Sequence, residues 1–237
     1  MSAPTDQRQL AAAFAEISRA LLAEPDVQRT LARICEVAVP TVDGCDHAVV
    51  TVLAHRRLST PTASDVTGGT VDAIQFEVGE GPSLEAIREQ QTIVADDLAT
   101  DPRWPRFSRR AVEATGVRSM VAFRMFVADH TMGSLNLYSR EPAAFTEESL
   151  AVGAILAAHA SVALRAAETK ESLARLREVM EARELIGQAR GILMGRQGIS
   201  SQAAMEILCR GAERLKLELR EMARRVVEGE EDKGQKR

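Results

Sequence analysis

All eight prolines of this chain lie at or before Pro142, and the stretch 143–237 holds none. Proline removes a backbone donor and its ring clashes with the preceding turn, so it breaks helices from within. The last part of the chain is therefore free to be mostly helical. The first part must be a mixed, turn-rich domain.

The segments of that first part follow from their patterning. Leu10, Phe14, Ile17 and Leu21 recur at four- and three-residue steps, a helical stripe. Pro25-Asp26 interrupts it, and Asp26 is placed to cap a second helix with Val27, Leu31, Ile34 and Ala38 on one face. Ala48–Leu53 is β-branched and apolar on both faces and reads as a buried strand. A weaker strand is expected over Leu58–Ala63. Gly79-Glu80-Gly81-Pro82 turns into a short helix near Leu84–Glu89. Further strands are expected at Thr92–Ala95, Ser119–Met125 and Gly133–Tyr138. The loop Asp96–Pro105 and a helix over Phe107–Thr115, stopped by Gly116, lie between the first two of these.

From Thr146 the character changes. Thr146 caps a helix that opens with Glu147 and Glu148, favourable charges at a helix N-terminus. Apart from Gly153, nothing breaks it before Gly187. Val162, Ala166, Thr169, Leu173, Leu176 and Met180 keep an approximate three–four spacing between charged flanks, which suits a short parallel coiled coil. Its dimer seam is assigned to Leu173, Leu176 and Met180. The alternative is one amphipathic helix packed on its own domain. Two more helices follow. One is capped by Ser200 or Ser201 and buries Ala204, Ile207 and Leu208. The other carries the stripe Leu219, Met222, Ala223, Val226 and Val227.

Composition narrows the chemistry. Cys35, Cys45 and Cys209 are widely spaced, without a CxxC pair, which speaks against a disulfide framework or a zinc site. The four histidines show no ligand spacing, and no catalytic triad, phosphate-binding glycine loop or paired-carboxylate motif stands out. No metal, cofactor or catalytic residue is assigned. The polar start and the lack of an uncharged apolar run of bilayer length point to a cytoplasmic protein without a membrane partner. The net charge of −4 hides a local bias: over 185–227, basic residues outnumber acidic ones about two to one. The charged end, 229–237, is expected to be disordered.

The string Ala189-Arg190-Gly191-Ile192-Leu193-Met194 resembles the most characteristic motif of the ANTAR domain, with Arg190 in place of its lysine. Ala203-Ala204-Met205 and Leu219-Arg220-Glu221-Met222-Ala223 extend that likeness. The chain departs from the family pattern at Met205, Cys209 and Lys216. Upstream, the order of elements resembles a GAF domain. The likeness is carried by Gly79-Glu80-Gly81-Pro82-Ser83-Leu84, by Asp96-Asp97-Leu98 with Asp101-Pro102-Arg103-Trp104, and by Gly133–Tyr138; Ser83 stands where members of this kind often have cysteine.

These resemblances imply an α+β fold. An N-terminal helix (1–26) precedes a GAF sensor domain with a central antiparallel sheet and flanking helices (27–164). A coiled-coil linker (165–182), a three-helix ANTAR domain (183–228) and the tail (229–237) follow. The function they imply is signal-responsive transcription antitermination. A homodimer would bind tandem RNA stem-loops in a leader transcript, and a small molecule in the GAF pocket would govern it. Arg190, Arg196, Arg210, Arg214, Lys216, Arg220 and Arg224 are the candidate RNA contacts, since arginine both pairs with phosphate and stacks on bases. Two other readings stay open: a GAF-pocket redox sensor or small-molecule-modifying enzyme with a helical dimerisation tail, and a DNA-binding regulator.

Overall fold

The computed structural model describes the backbone of residues 3–54, 57–128 and 130–234, and the side chains of 11–54, 57–128 and 131–229. It divides into two compact units between Glu171 and Ser172, inside one continuous helix.

The first unit opens with helices α1 (Ala3–Ala23) and α2 (Val27–Thr41). Asp26 caps α2 by accepting from the Arg29 amide at 2.7 Å, the role its position predicts. Of the expected α1 stripe, Phe14 and Leu21 are buried, Ile17 is half-buried against them, and the Leu10 side chain lies outside the described residues. Strands β1 (His47–Ala54) and β2 (Arg57–Ala63) follow, then helices α3 (Val66–Val78) and α4 (Pro82–Glu89). After them come β3 (Ile93–Ala95), α5 (Pro105–Thr115), β4 (Ser119–Val127) and β5 (His130–Ser139). The strands form one antiparallel sheet in the order β2-β1-β5-β4-β3.

Helix α3 is absent from the sequence reading. Its first turns, Val66-Thr67-Gly68-Gly69-Thr70, are poor helix formers. Packing overrides that weakness. Asp65 caps the helix by accepting from the Gly68 amide at 3.0 Å. Gly68 itself lies so close to β1 that a Cβ there would meet Val49 Cγ2 at 2.8 Å.

Side chains alternate across the sheet as pleating requires. Val50, Val121, Phe123, Leu135 and Leu137 pack with α1, α2 and the start of α6 (Glu147–Gln197). Val49, Met120, Ala122 and Tyr138 pack with α3, α4 and α5. The oxygen of Thr146 accepts from the Ser149 amide at 3.2 Å and caps α6. By length and composition alone α6 is long and apolar enough to cross a membrane, although its uncharged run is confined between Glu148 and Arg165. In this fold Leu156, Ala157, Ala160, Ala163 and Leu164 are buried in the first unit's core, and Ala167 is buried one turn further on. Glu171 closes that unit by accepting from the Val27 amide at 2.9 Å.

In the second unit, α6 continues to Gln197, followed by α7 (Ser201–Leu215) and α8 (Leu219–Gly234). Ser200 caps α7, accepting from the Ala203 amide at 3.2 Å. The small core is Ala189, Leu193, Ala204, Leu208 and Ala223, rimmed by Ile186, Ile207, Leu219 and Met222. Helix α8 runs to Gly234, past the point where the tail was expected to lose structure; 235–237 lie outside the described residues.

Gly153 tests the packing of α6 on the sheet. A Cβ there would meet Phe123 Cζ at 2.5 Å, and Phe123 is itself buried in the core. Gly153→Ala gains about 1 kcal/mol of helix propensity but overpacks a closed interior, at a cost of about 1–3 kcal/mol. The expected net result is destabilisation, read as a lower urea midpoint; a raised midpoint would show that Phe123 yields freely.

Candidate sensor interior and nucleic-acid interface

The interior between the sheet and α3–α5 holds a polar cluster around Asp72. This carboxylate is fully buried. One oxygen accepts from Thr51 Oγ1 at 2.8 Å and from Thr60 Oγ1. The other accepts from Gln75 Nε2 at 3.0 Å, Asn136 Nδ2 at 3.1 Å and the Tyr138 hydroxyl at 3.2 Å. Burial pushes the Asp72 pKa up, against the downward pull of the Thr60, Thr51, Tyr138 and Asn136 donors. Burial likewise raises the Tyr138 hydroxyl well above its ordinary value, helped by the charge of Asp72.

Ser83 belongs to the same cluster. Its amide donates to Gln75 Oε1 at 2.8 Å, and its hydroxyl lies 2.9 Å from Ser134 Oγ and 3.0 Å from Asn136 Nδ2. Asn136 Oδ1 is buried without a partner. Sequence reading noted Ser83 only for the cysteine it replaces and missed Asp72, which lies on the helix that was not expected. A lone acidic residue in a Gly/Thr/Val stretch carries no spacing that would have marked it.

The motifs that carry the upstream likeness act as braces. Glu80 Oε1 accepts from the Arg106 and Phe107 amides at 2.6 and 2.9 Å, capping the start of α5, where a negative charge is favoured. Glu85 accepts from the Trp104 indole at 2.9 Å, and Arg103 lies over the Trp104 ring at 4.2 Å. Asp97 takes two bonds from Arg118 at 2.9 and 2.7 Å; its hydrogen bond from Arg118 holds its carboxyl below the usual range.

Cys35 and Cys45 are buried, and burial pushes both thiols up to about 12. Cys209 is half-exposed. Among the described residues no three His, Cys, Asp or Glu side chains group as a metal site would need.

In the second unit all seven candidate RNA contacts, Arg190, Arg196, Arg210, Arg214, Lys216, Arg220 and Arg224, are solvent-exposed. Their surroundings differ. Arg224 pairs with Glu221 at 3.0 Å. With Arg220 it lines a groove that also holds Glu181 and Glu184. Arg210 and Arg214 border a different cleft, between α7 and α8, floored by Ile207, Gly211 and Met222. Lys216 occupies the left-handed cap of α7 with φ +55°. The seam residues Leu173, Leu176 and Met180 are 51, 56 and 62% exposed. Val179, outside the assigned seam, is 52% exposed beside them.

Family models match the chain in two places: GAF domain over residues 24–165 and ANTAR domain over residues 174–227. No curated protein matches the chain. Solved structures share the fold of the first unit at low identity. The GAF domain of a phosphoenolpyruvate-protein phosphotransferase from Coxiella burnetii is 16% identical, with 69% of this chain and 96% of that one covered and a TM-score of 0.54. Free methionine-R-sulfoxide reductase from Neisseria meningitidis, in complex with its substrate, is 17% identical, with 71% and 96% covered and a TM-score of 0.51. The GAF domain of the cyanobacteriochrome TePixJ is 18% identical, with 63% and 95% covered and a TM-score of 0.51. With its antiparallel sheet between two helical layers, its long α6 and the two helices that follow it, the chain belongs to the GAF domain family and carries an ANTAR domain after it, the make-up of a GAF and ANTAR regulator.

Proposed function

We propose that this protein is a cytoplasmic, signal-responsive transcription antitermination regulator. The observation that carries the reading is the ANTAR match over 174–227 on a helical unit with exposed cations, of which Arg190, Arg214, Lys216 and Arg220 make no ion pair among the described residues. Cations without an ion pair break none when they meet phosphate, and they release counterions from RNA when they bind. In this reading two copies of the module hold two adjacent stem-loops of a leader transcript. The competing terminator hairpin then fails to form, and the polymerase reads on. A small molecule received by the GAF domain shifts the population of the competent state.

The homodimer is part of the proposal. Leu173, Leu176 and Met180 keep coiled-coil spacing along one helix, and their exposure in the single chain supports a role for them outside it. A rival reading, a thiol-based sensor or enzyme in the GAF domain, is weakened by the burial of Cys35 and Cys45. A thiol held near 12 stays protonated at neutral pH, and only the thiolate is a nucleophile.

Three measurements test these statements. Tandem stem-loop RNA is expected to bind the full chain with an affinity that falls as salt rises. The triple variant Arg190→Ala, Arg214→Ala, Lys216→Ala is expected to lose about tenfold or more at fixed salt, with unchanged helix content by circular dichroism; wild-type affinity would discard this face.

Leu173→Glu with Leu176→Glu sets like charges across the seam and is expected to give monomers in sedimentation. A dimer of unchanged strength would move the interface elsewhere.

Iodoacetamide is expected to label Cys209 in the native protein and to reach Cys35 and Cys45 only on unfolding. Fast native labelling of either buried thiol would revive the thiol mechanism.

A further inference from the structure

We propose that the cleft between α7 and α8 receives one unpaired nucleobase of an RNA loop, with Arg210 and Arg214 holding that nucleotide at its rim. The proposal rests on the reading of the ANTAR domain as an RNA-binding module and names the part of the RNA that this surface takes.

The cleft encloses about 430 Å³, within the range of small-ligand pockets. Ile207, Arg210, Gly211 and Arg214 line it from α7. They stand at i, i+3, i+4 and i+7 and so share one helix face. Met222 closes it from α8. Its floor is apolar and its rim is cationic, and no carboxylate lines it among the described residues. Arg214 makes no ion pair among the described residues, and the bond that Arg210 makes is to the backbone oxygen of Glu206, at 3.4 Å. A second groove of this unit is the contrast. Glu181 and Glu184 line it together with Arg220 and Arg224, and two carboxylates there repel phosphate. Charge complementarity thus selects the α7–α8 cleft for an anionic polymer.

The shape of the cleft depends on a glycine. Gly211 sits in the middle of α7, where glycine is about 1 kcal/mol less favourable than alanine. A Cβ there would meet Met222 Cε at 3.0 Å and Sδ at 3.2 Å. A larger side chain would displace the thioether and fill the space. The small residue lets Met222 lie against α7 and form the floor, at a cost in helix stability.

A nucleobase matches these surfaces. Its flat face is weakly polar and suits Ile207 and the polarisable sulfur of Met222. The planar guanidinium of Arg214 or Arg210 can stack on the opposite face or pair with the flanking phosphates. The unit from Ser172 onward contains no Phe, Tyr or Trp. Stacking there must therefore fall to guanidinium and thioether groups rather than to aromatic rings.

The experiment uses the full chain and a stem-loop that it enriches from a pool with a randomised loop. Each loop nucleotide is replaced in turn by an abasic residue, and Kd is measured with wild type, Gly211→Leu and Arg214→Lys. At one loop position the abasic change is expected to weaken wild-type binding about tenfold or more. The same change is expected to cost Gly211→Leu nothing further, because its cleft is already filled. Arg214→Lys keeps the charge, so its salt dependence is expected to match wild type, while it loses most of the penalty at that same position. Should Gly211→Leu lose helix content, the Arg214→Lys series completes the same cycle. Equal abasic losses in all three proteins at every position overturn the cleft and leave RNA binding intact. Failure of wild type to enrich any stem-loop overturns the cleft together with the RNA-binding reading.

Discussion

A carboxylate buried without a cation organises the interior of the sensor domain. Asp72 accepts from Thr51 on β1, Thr60 on β2, Gln75 on its own α3, and Asn136 and Tyr138 on β5. A hydrogen bond to a charged group contributes about 1.5–3 kcal/mol, so five donors can offset a desolvation penalty of several kcal/mol. The geometry is all-or-none. Removing Asp72 would orphan donors on three strands and a helix at once. Ser83 ties α4 into the same set through Gln75. Strands β1 and β5, which meet this cluster, turn their other faces to α1, α2 and α6, so the polar interior and the apolar core share one sheet.

The C-terminal unit lives under the opposite constraint. Its fully buried residues are mostly alanines and leucines, and it has no aromatic side chain. A core this small contributes little by itself. Caps and tight local packing therefore matter more. Ser200 holds the start of α7, Lys216 takes a left-handed cap at its end, and Gly211 lets Met222 lie against the helix.

What the sequence disclosed and what it hid divide along one line. Caps with a single local mechanism were readable: Asp26, Thr146 and Ser200 each accept from an amide three residues on. Stripes with a clear period were readable too, from Leu31 and Ile34 on α2 to Ala189 and Leu193 on α6. Helix α3 was not, because its Thr-Gly-Gly-Thr turn argues against a helix and only the close approach of Gly68 to Val49 explains it. With α3 went Asp72, and with Asp72 the meaning of Ser83, Asn136 and Tyr138. Contacts separated by 64 and 66 residues leave no local period to read. In the C-terminal unit the arginines were visible as a bias in charge, but not their sorting into a carboxylate-lined groove and a cleft with no carboxylate among the described residues. That sorting depends on which helix faces meet.

Burial along α6 stops at Ala167 and resumes at Ala189. Between them Leu173, Leu176, Val179 and Met180 are each about half exposed. Burying a large aliphatic side chain completely contributes about 1.5–3 kcal/mol, so covering the exposed half contributes about 1 kcal/mol for each. Six such seam side chains, Leu173, Leu176 and Met180 from each copy of the proposed dimer, supply about 6 kcal/mol, against an association cost of about 4–15 kcal/mol. The gain falls inside the range of the cost. A pairing this close to balance responds to small inputs, since about 1.4 kcal/mol changes an association constant tenfold. A change of that size lies within the differential affinity of one ligand for two states. The modest length of the exposed stripe therefore favours a dimer that a signal can adjust over one that is permanent.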